Sequence, residues 1–247
     1  MPFLHRYVGN PVLTFIGNLF FRTAIGDFHC GLRGFTKTAY KKMDLNSKGM
    51  EFASEIVVKA SMLNLKITEV PTTVFAAGRT RKPHLRTFPD GWRHLRFLLL
   101  YSPKWLFLMP GMLLFLTGIV GLLLLLSSSS GTEYIRESTL ILGVILFSFQ
   151  FIVFFALTKI FAINHGLIPK STNYSKLFLF FNLERGLILG GCMTVLGAVL
   201  LYYGFSSELK IESTLKLIFP AIIVVALGIQ VILFSFFFSI LGLVEKK

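Results

Sequence analysis

The stretch WLFLMPGMLLFLTGIVGLLLLLS, residues 105–127, decides what kind of fold this chain has. It carries no charge over a length that matches a helix crossing a hydrocarbon core, which takes roughly 20 residues. In lipid every backbone N–H and C=O must find a partner inside the segment, so such a run is a helix. Three further apolar runs follow, at about 138–163, 186–205 and 217–244. Lys159 is the only charged residue within these four runs, close to one end of the second, so the sequence indicates no ion path and argues against a transporter or channel. The chain as a whole, 247 residues, is 54% hydrophobic, with a mean hydropathy of +0.71. That is beyond the range of an ordinary soluble domain.

Outward from the first span, the charge is unevenly placed. Residues 1–104 hold 16 Lys/Arg against 6 Asp/Glu, whereas residues 105–247 hold 9 against 6. A basic head on an apolar tail suits an anionic leaflet or a phosphorylated substrate. Nucleic acid, the other usual partner of basic surface, is disfavoured by the four spans. SSSSGTEYIRE (127–137), between spans one and two, carries Arg136 alone, and SSELKIEST (206–214), between spans three and four, carries Lys210 alone. The middle loop has Lys170, Lys176 and Arg185, and the tail ends in EKK. The bias of Lys and Arg toward the inner face therefore predicts a cytoplasmic head and cytoplasmic termini, in a bacterial inner membrane. Cys30 and Cys192 lie too far apart in sequence and setting to suggest a disulfide or zinc framework. No apolar core of signal-peptide length precedes the head.

Immediately before the first span, DGWRHLRFLLLYSPKW (90–105) mixes Trp92, Arg93, His94 and Arg96 with leucines, the pattern of a helix lying along the headgroups. YSKLFLFFNLERG (174–186) either does the same or simply flanks the third span. In the head, NPVLTFIGNLFFRT (10–23) has a broad apolar stripe at helical spacing with Pro11 near its start. GMEFASEIVVKASMLN (49–64) predicts a second helix with Glu55 and Lys59 at i,i+4. LKITEVPTTVFA (65–76) alternates and is β-branched, predicting a strand, with Pro71 pointing to an edge or bulge. About a hundred residues with two helices and few strands make a poor core for a wound sheet, as though the first half of an α/β domain were elsewhere.

Chemistry must come from few residues. There is no glycine-rich nucleotide loop and no Asp-x-Asp, and the five histidines show no metal-ligand spacing. His29 beside Cys30 is too little for a thiol or zinc site. What remains is arginine near short polar residues: Arg6 before Asn10, Asp27 before Arg33, and GRTRKPHLR (78–86) with Arg79, Arg81, Lys82 and His84. Arginine's planar fork suits phosphate oxygens, although a basic run is also what a face solvated against anionic lipid looks like. Asp27, six residues before Arg33, is either a structural partner of that arginine or a base or orienter for an attacking oxygen. Gly26, Gly31 and Gly34 around it suggest a tight backbone.

Taken together, HRYVGNPVLTFIGNLFFRTAIGDFHCGLRGF (5–35), GMEFASEIVVKA (49–60), ITEVP (67–71) and GRTRKPHLRTFPDGWRHLRFLLLYSPKWLF (78–107) resemble the C-terminal part of family 2 glycosyltransferases. The likeness is to the membrane branch of dolichyl-phosphate mannose synthase and bacterial polyprenyl-phosphate glycosyltransferases. The resemblance implies an α/β GT-A domain joined to a membrane all-α region. On this chain that means the acceptor side of the GT-A domain at 1–87, an interfacial helix at 88–104 and four spans at 105–247. It implies transfer of a sugar, with inversion, from a nucleotide-sugar donor to a polyprenyl-phosphate lipid.

Residue by residue, Arg6 and Asn10 match the pattern that grips the lipid phosphate. Asp27, Gly31 and Arg33 match a segment lining the reaction centre, where the acid orients or activates the acceptor. Arg79, Arg81, Lys82 and His84 fall where a basic strand end reaches the phosphates, though RTRKPHLR departs from the usual Arg…Ser-Lys form. The divalent cation (Mg or Mn) such enzymes use has no ligands in this chain, because the donor-binding half and its Asp-x-Asp are absent. Met1 accordingly reads as an internal methionine, a truncated reading frame or part of a split gene. The alternative is a non-catalytic membrane remnant or subunit that binds or presents the same lipid. Gly186 and Gly190 offer a small-xxx-small pair for helix packing, which leaves a homo-oligomer open.

Overall fold

A computed structural model of the chain describes residues 5–73, 87–127, 132–169, 182–206 and 211–243. It divides into two compact units, Met1–Trp105 and Leu106–Lys247.

In the first unit, a π-helical turn His5–Gly9 runs into α1 (Asn10–Phe21), with Pro11 in the first turn, where its missing N–H has no partner to lose. Arg22 ends α1 in the left-handed region (φ 54°) and turns the chain back. α2 (Lys37–Met43) is a short helix that the apolar periodicity does not mark; its signal is a cap, Thr36 Oγ1 accepting from Ala39 N–H at 3.2 Å. α3 (Phe52–Met62) and α4 (Thr87–Leu100) follow. The core is Phe21, Ile25, Phe28, Val57, Val58, Phe97 and Leu98, drawn from α1, the loop after it, α3 and α4. Phe28 is fully buried and lies against Gly17, where an added Cβ would sit 2.7 Å from its ring.

α1 does not bury its whole apolar stripe. Its inward residues are Thr14, Gly17 and Phe21, while Val8, Val12, Phe15 and Leu19 form an exposed row one turn apart. An apolar row left open on a helix marks a surface meant for lipid or a partner.

The i,i+4 pair Glu55–Lys59 forms at 3.2 Å, but as a buried staple rather than a surface contact. Glu55 accepts the N–H groups of Asn46 (3.0 Å) and Ser47 (2.8 Å), and Lys59 donates to the carbonyl of Asp44. The two side chains thereby fasten the loop after α2 onto α3. Ser61 Oγ fastens the other end of α3 by donating to Phe21 O at 2.7 Å.

The α/β expectation is not met among the described residues, where all regular structure is helical. Residues 65–73 of the expected strand have neither helical nor strand pairing. Alternation and β-branching create the propensity, but a strand exists only against a neighbour, and among the described residues none is present. Residues 74–76 of that stretch lie outside the described residues.

In the second unit, α5 (Met109–Ser127, led by a π-helical turn Lys104–Leu108), α6 (Thr132–Asn164), α7 (Leu183–Ser206) and α8 (Ile211–Leu243) are each long and apolar enough to span a bilayer. α5 packs on α6, α6 on α8, and α7 most extensively on α8. The α7–α8 seam is built on glycines. An added Cβ at Gly190 would meet the Gly228 carbonyl at 2.7 Å, and one at Gly197 the Val225 N–H nitrogen at 2.9 Å. Gly186 closes on Ser235 of the same chain. The small-xxx-small pair thus packs within the chain, as expected where helices associate in lipid by close backbone approach. Most of the stretch 174–186 lies outside the described residues.

Candidate functional site

The loop after α1 carries Asp27 and Arg33, and three polar side chains shape it from outside. Asn18 is the first. Its amide donates to Ile25 O (2.8 Å), and its oxygen accepts from Ile25 N–H (3.1 Å) and from Thr23 Oγ1 (2.6 Å). Thr14 is the second: its hydroxyl accepts Phe28 N–H at 3.2 Å and lies 3.4 Å from Asn10 Oδ1. Glu69 is the third, both its carboxylate oxygens receiving Gly26 N–H at 3.0 Å. Glu69 belongs to the ITEVP segment, so that segment anchors the loop without being a strand.

Within the loop, Asp27 Oδ1 accepts His29 N–H at 2.9 Å, an Asx turn that leaves Oδ2 without a hydrogen bond among the described residues. Arg33 is not held by a direct ion pair to Asp27. Its Nε donates to Cys30 O (2.8 Å) and its Nη2 to Phe28 O (2.7 Å), so two carbonyls of its own loop fix the guanidinium. Burial lowers the Arg33 pKa, and the charges of Cys30, Asp27 and Glu69 oppose that shift. The group remains a cation with Nη1 uncommitted among the described residues. The glycines add less than their number suggests. A Cβ at Gly31 or Gly34 would meet nothing within 4 Å, and one at Gly26 only the Glu69 carboxylate at ordinary contact distance.

A contact invisible in the sequence lies beneath the loop. Ser54 of α3 stands between two imidazoles, 3.2 Å from His29 Nδ1 and 2.9 Å from His94 Nδ1, with the two rings 4.3 Å apart. One hydroxyl can donate to one Nδ1 and accept from the other, so the two rings hold opposite tautomers. Burial lowers the His29 pKa to about 4, with His94 and Arg33 adding to the shift and Asp27 opposing it. Burial likewise lowers His94, against the pull of Glu51 and Asp90. Both rings are therefore neutral near pH 7. The three residues join the Asp27 loop, α3 and the pre-membrane helix α4, and no spacing rule links positions 29, 54 and 94.

Of the other site residues expected from sequence, Asn10 is half-buried beside Thr14 and so joins the Asp27 loop through one bridging hydroxyl. Arg6 falls in the π-helical turn before α1, with its side chain outside the description, and Arg79, Arg81, Lys82 and His84 lie outside the described residues. Among the described residues no group of three or more His, Cys, Asp or Glu could hold a metal ion, so these residues do not fit the divalent cation.

Comparison with known proteins finds similarity in the membrane region and along the chain as a whole. Residues 156–242 match the C-terminal transmembrane region of glycosyltransferase family 2. The chain is 33% identical over 251 residues to the low-salt glycan biosynthesis hexosyltransferase Agl6 of Haloferax volcanii, an alignment that takes in 98% of this chain and 60% of that protein. The chain thus spans about three fifths of the length of its curated relative. No solved structure matches it. The chain is thus similar to family 2 glycosyltransferases in its membrane region and to a hexosyltransferase along nearly its whole length.

Proposed function

We propose that this chain is the acceptor-side and membrane portion of a glycosyltransferase that moves a sugar from a nucleotide donor to a polyprenyl-phosphate lipid with inversion. The observation that carries the reading is the Asp27–Arg33 loop: an acid with one oxygen and an arginine with one edge uncommitted among the described residues, held by Asn18, Thr14 and Glu69. The reaction needs such a loop. The acceptor's hydrocarbon stays in lipid while its phosphate oxygen attacks the anomeric carbon and the donor's diphosphate leaves. A phosphate is already anionic near pH 7, so the loop's task is positioning. Arg33 Nη1 would take one phosphate oxygen, and Asp27 Oδ2 would accept from a remaining phosphate proton or a sugar hydroxyl. Arg6 and Asn10, one helix away, would hold the far side of the phosphate, and Arg79, Arg81, Lys82 and His84 would meet the phosphates from their segment.

The exposed row on α1 and the exposed Phe88 and Trp92 on α4 favour a head resting on the membrane surface, with head and termini on the cytoplasmic side. The family's cation would enter with donor-binding residues outside this chain.

The test is transfer by membranes containing the protein, supplied with labelled nucleotide hexoses and polyprenyl phosphate, together with the protein's intact mass. Arg33→Lys and Asp27→Asn are each expected to lower transfer at least 100-fold. Labelled lipid formed equally by both variants would end the reading. No labelled lipid from the wild type, with the lipid still bound, would favour the subunit that only presents it.

A further inference from the structure

The head has a second basic feature that shares no residue with the Asp27 loop. A groove of about 500 Å³ runs between the segment leading into α3 and the outer face of α4, lined among others by Lys48, Glu51, Arg93, Arg96, Phe97 and Leu100. Lys48, Arg93 and Arg96 line it with cations, and the buried Phe97 and the exposed Leu100 line it with apolar surface. Arg93 is engaged by Asp90 at 3.5 Å, whereas Lys48 and Arg96 make no ion pair or hydrogen bond among the described residues. Arg93 and Arg96 stand at i,i+3 on one helix, where like charges repel unless an anion lies between or over them. Glu51 pairs with neither free cation among the described residues; its carboxylate folds back over Gly49. With Arg93 paired to Asp90, Lys48 and Arg96 against Glu51 leave the groove with one positive charge in excess.

The position narrows the occupant. α4 ends at Leu100 and the first membrane-spanning stretch begins at Lys104, so Leu100 of the groove lies at most about 14 Å from the start of that stretch. Phe88 and Trp92, exposed on the same helix, are the aromatic residues expected at a headgroup boundary. A soluble anion would use the cations and leave Phe97 and Leu100 unused. A glycerophospholipid uses both.

We propose that this groove is a binding site for one anionic phospholipid, its phosphate between Lys48 and Arg96 and the start of an acyl chain along Phe97 and Leu100. The site would fix the depth and roll of α4 at the membrane independently of any transferase activity.

The experiment is native mass spectrometry of the full chain in detergent, titrated with phosphatidylglycerol or with phosphatidylcholine. Wild type is expected to retain one phosphatidylglycerol at concentrations that leave phosphatidylcholine unbound. Lys48→Ala with Arg96→Ala is expected to weaken that retention roughly 30-fold, two headgroup-level cations being lost. Lys41→Ala with Lys42→Ala, on exposed positions of α2, should leave it unchanged. Should the alanine pair be less stable, Lys48→Gln with Arg96→Gln carries the same expectation. Equal retention by the groove variants and wild type, or an equal loss from the α2 pair, overturns the site. Displacement of the lipid by millimolar glycerol phosphate would overturn it too, as a phosphate site that does not read the acyl chain.

Discussion

In the head, the side chains that hold segments together are polar: Glu55 and Lys59 fasten a loop from beneath, Asn18 closes another with three hydrogen bonds, and Ser54 bridges two histidines. In the membrane unit α7 and α8 come close enough for backbone to meet backbone, Gly190 at the Gly228 carbonyl and Gly197 at the Val225 nitrogen. The difference follows from the solvent. In water, burying apolar surface is favourable at about 25 cal/mol per Å², and polar side chains then select which loop lies where. In lipid, apolar burial between helices gives almost nothing, so helices associate through close contact and dispersion. Head and membrane unit should therefore fail under different insults, and a site that depends on loop placement belongs in the head.

Removing the carboxylate of Glu55 should have the largest effect. Glu55→Ala leaves Lys59 buried without its partner and the N–H groups of Asn46 and Ser47 unbonded. Breaking one side of a buried pair typically costs about 3–5 kcal/mol. Both tryptophans of the chain, Trp92 and Trp105, fall within the first compact unit, Trp105 at its junction with the first span, and Trp105 stacks on Phe20 at 5.5 Å, so their fluorescence reports on this unit. Urea titration followed by that fluorescence should show the loss, while far-UV circular dichroism, dominated by the spanning helices, changes little. A variant with wild-type urea resistance would mean the staple is solvated and the comparison between the units is overdrawn.

Acid should separate the two units next. His29 has a folded pKa lowered to about 4 from 6.5, so its neutral form contributes stability that is complete above pH 6.5 and lost as pH falls toward 4. His94, also lowered, acts in the same direction. Burial raises the pKa of Glu55, but the N–H groups of Asn46 and Ser47 and the Lys59 ammonium outweigh it and set the folded value below 4.5. Its contribution is present above pH 4.5 and lost below. Tryptophan fluorescence should accordingly shift in two stages, between pH 6.5 and 4 and again below 4.5, with helicity of the membrane unit retained. His94→Gln should remove much of the first stage; an unaltered first stage would place its origin elsewhere.

The spans were legible because a bilayer imposes a length and tolerates almost no charge, two conditions that residues 105–127 meet by themselves. α1 and α3 were legible as helices, but the periodicity of α1 could not say which way its stripe faced: Val12, Phe15 and Leu19 look outward because Thr14 and Gly17 are what fit against Phe28. The strand expected at 65–76 rested on propensity alone. Asp27 and Arg33 were found as a neighbouring pair, yet their connection runs through backbone carbonyls rather than an ion pair. The histidine–serine bridge could not be read at all, since positions 29, 54 and 94 meet only after α3 and α4 have packed.

The smallest expected effect gives the comparison its finest test, because it turns on adjacent residues. Gly190 and Gly191 are both mid-helix glycines of α7, and as helix formers they should gain equally from a change to alanine, about 1 kcal/mol at most. Their surroundings differ. A methyl at Gly190 would meet the Gly228 carbonyl at 2.7 Å and Ile232 at 2.7 Å, whereas one at Gly191 meets nothing within 4 Å. The Gly228 carbonyl is backbone and cannot rotate aside, so Gly190→Ala has to part α7 from α8, at a cost of about 1–3 kcal/mol for overpacking. Gly191→Ala, pointing away from the seam, should be neutral or slightly stabilising, within about 0.5 kcal/mol. Thermal unfolding of both variants in one detergent decides the matter. If the two shift together, backbone approach is not what holds this seam, and the membrane unit relies, as the head does, on side chains.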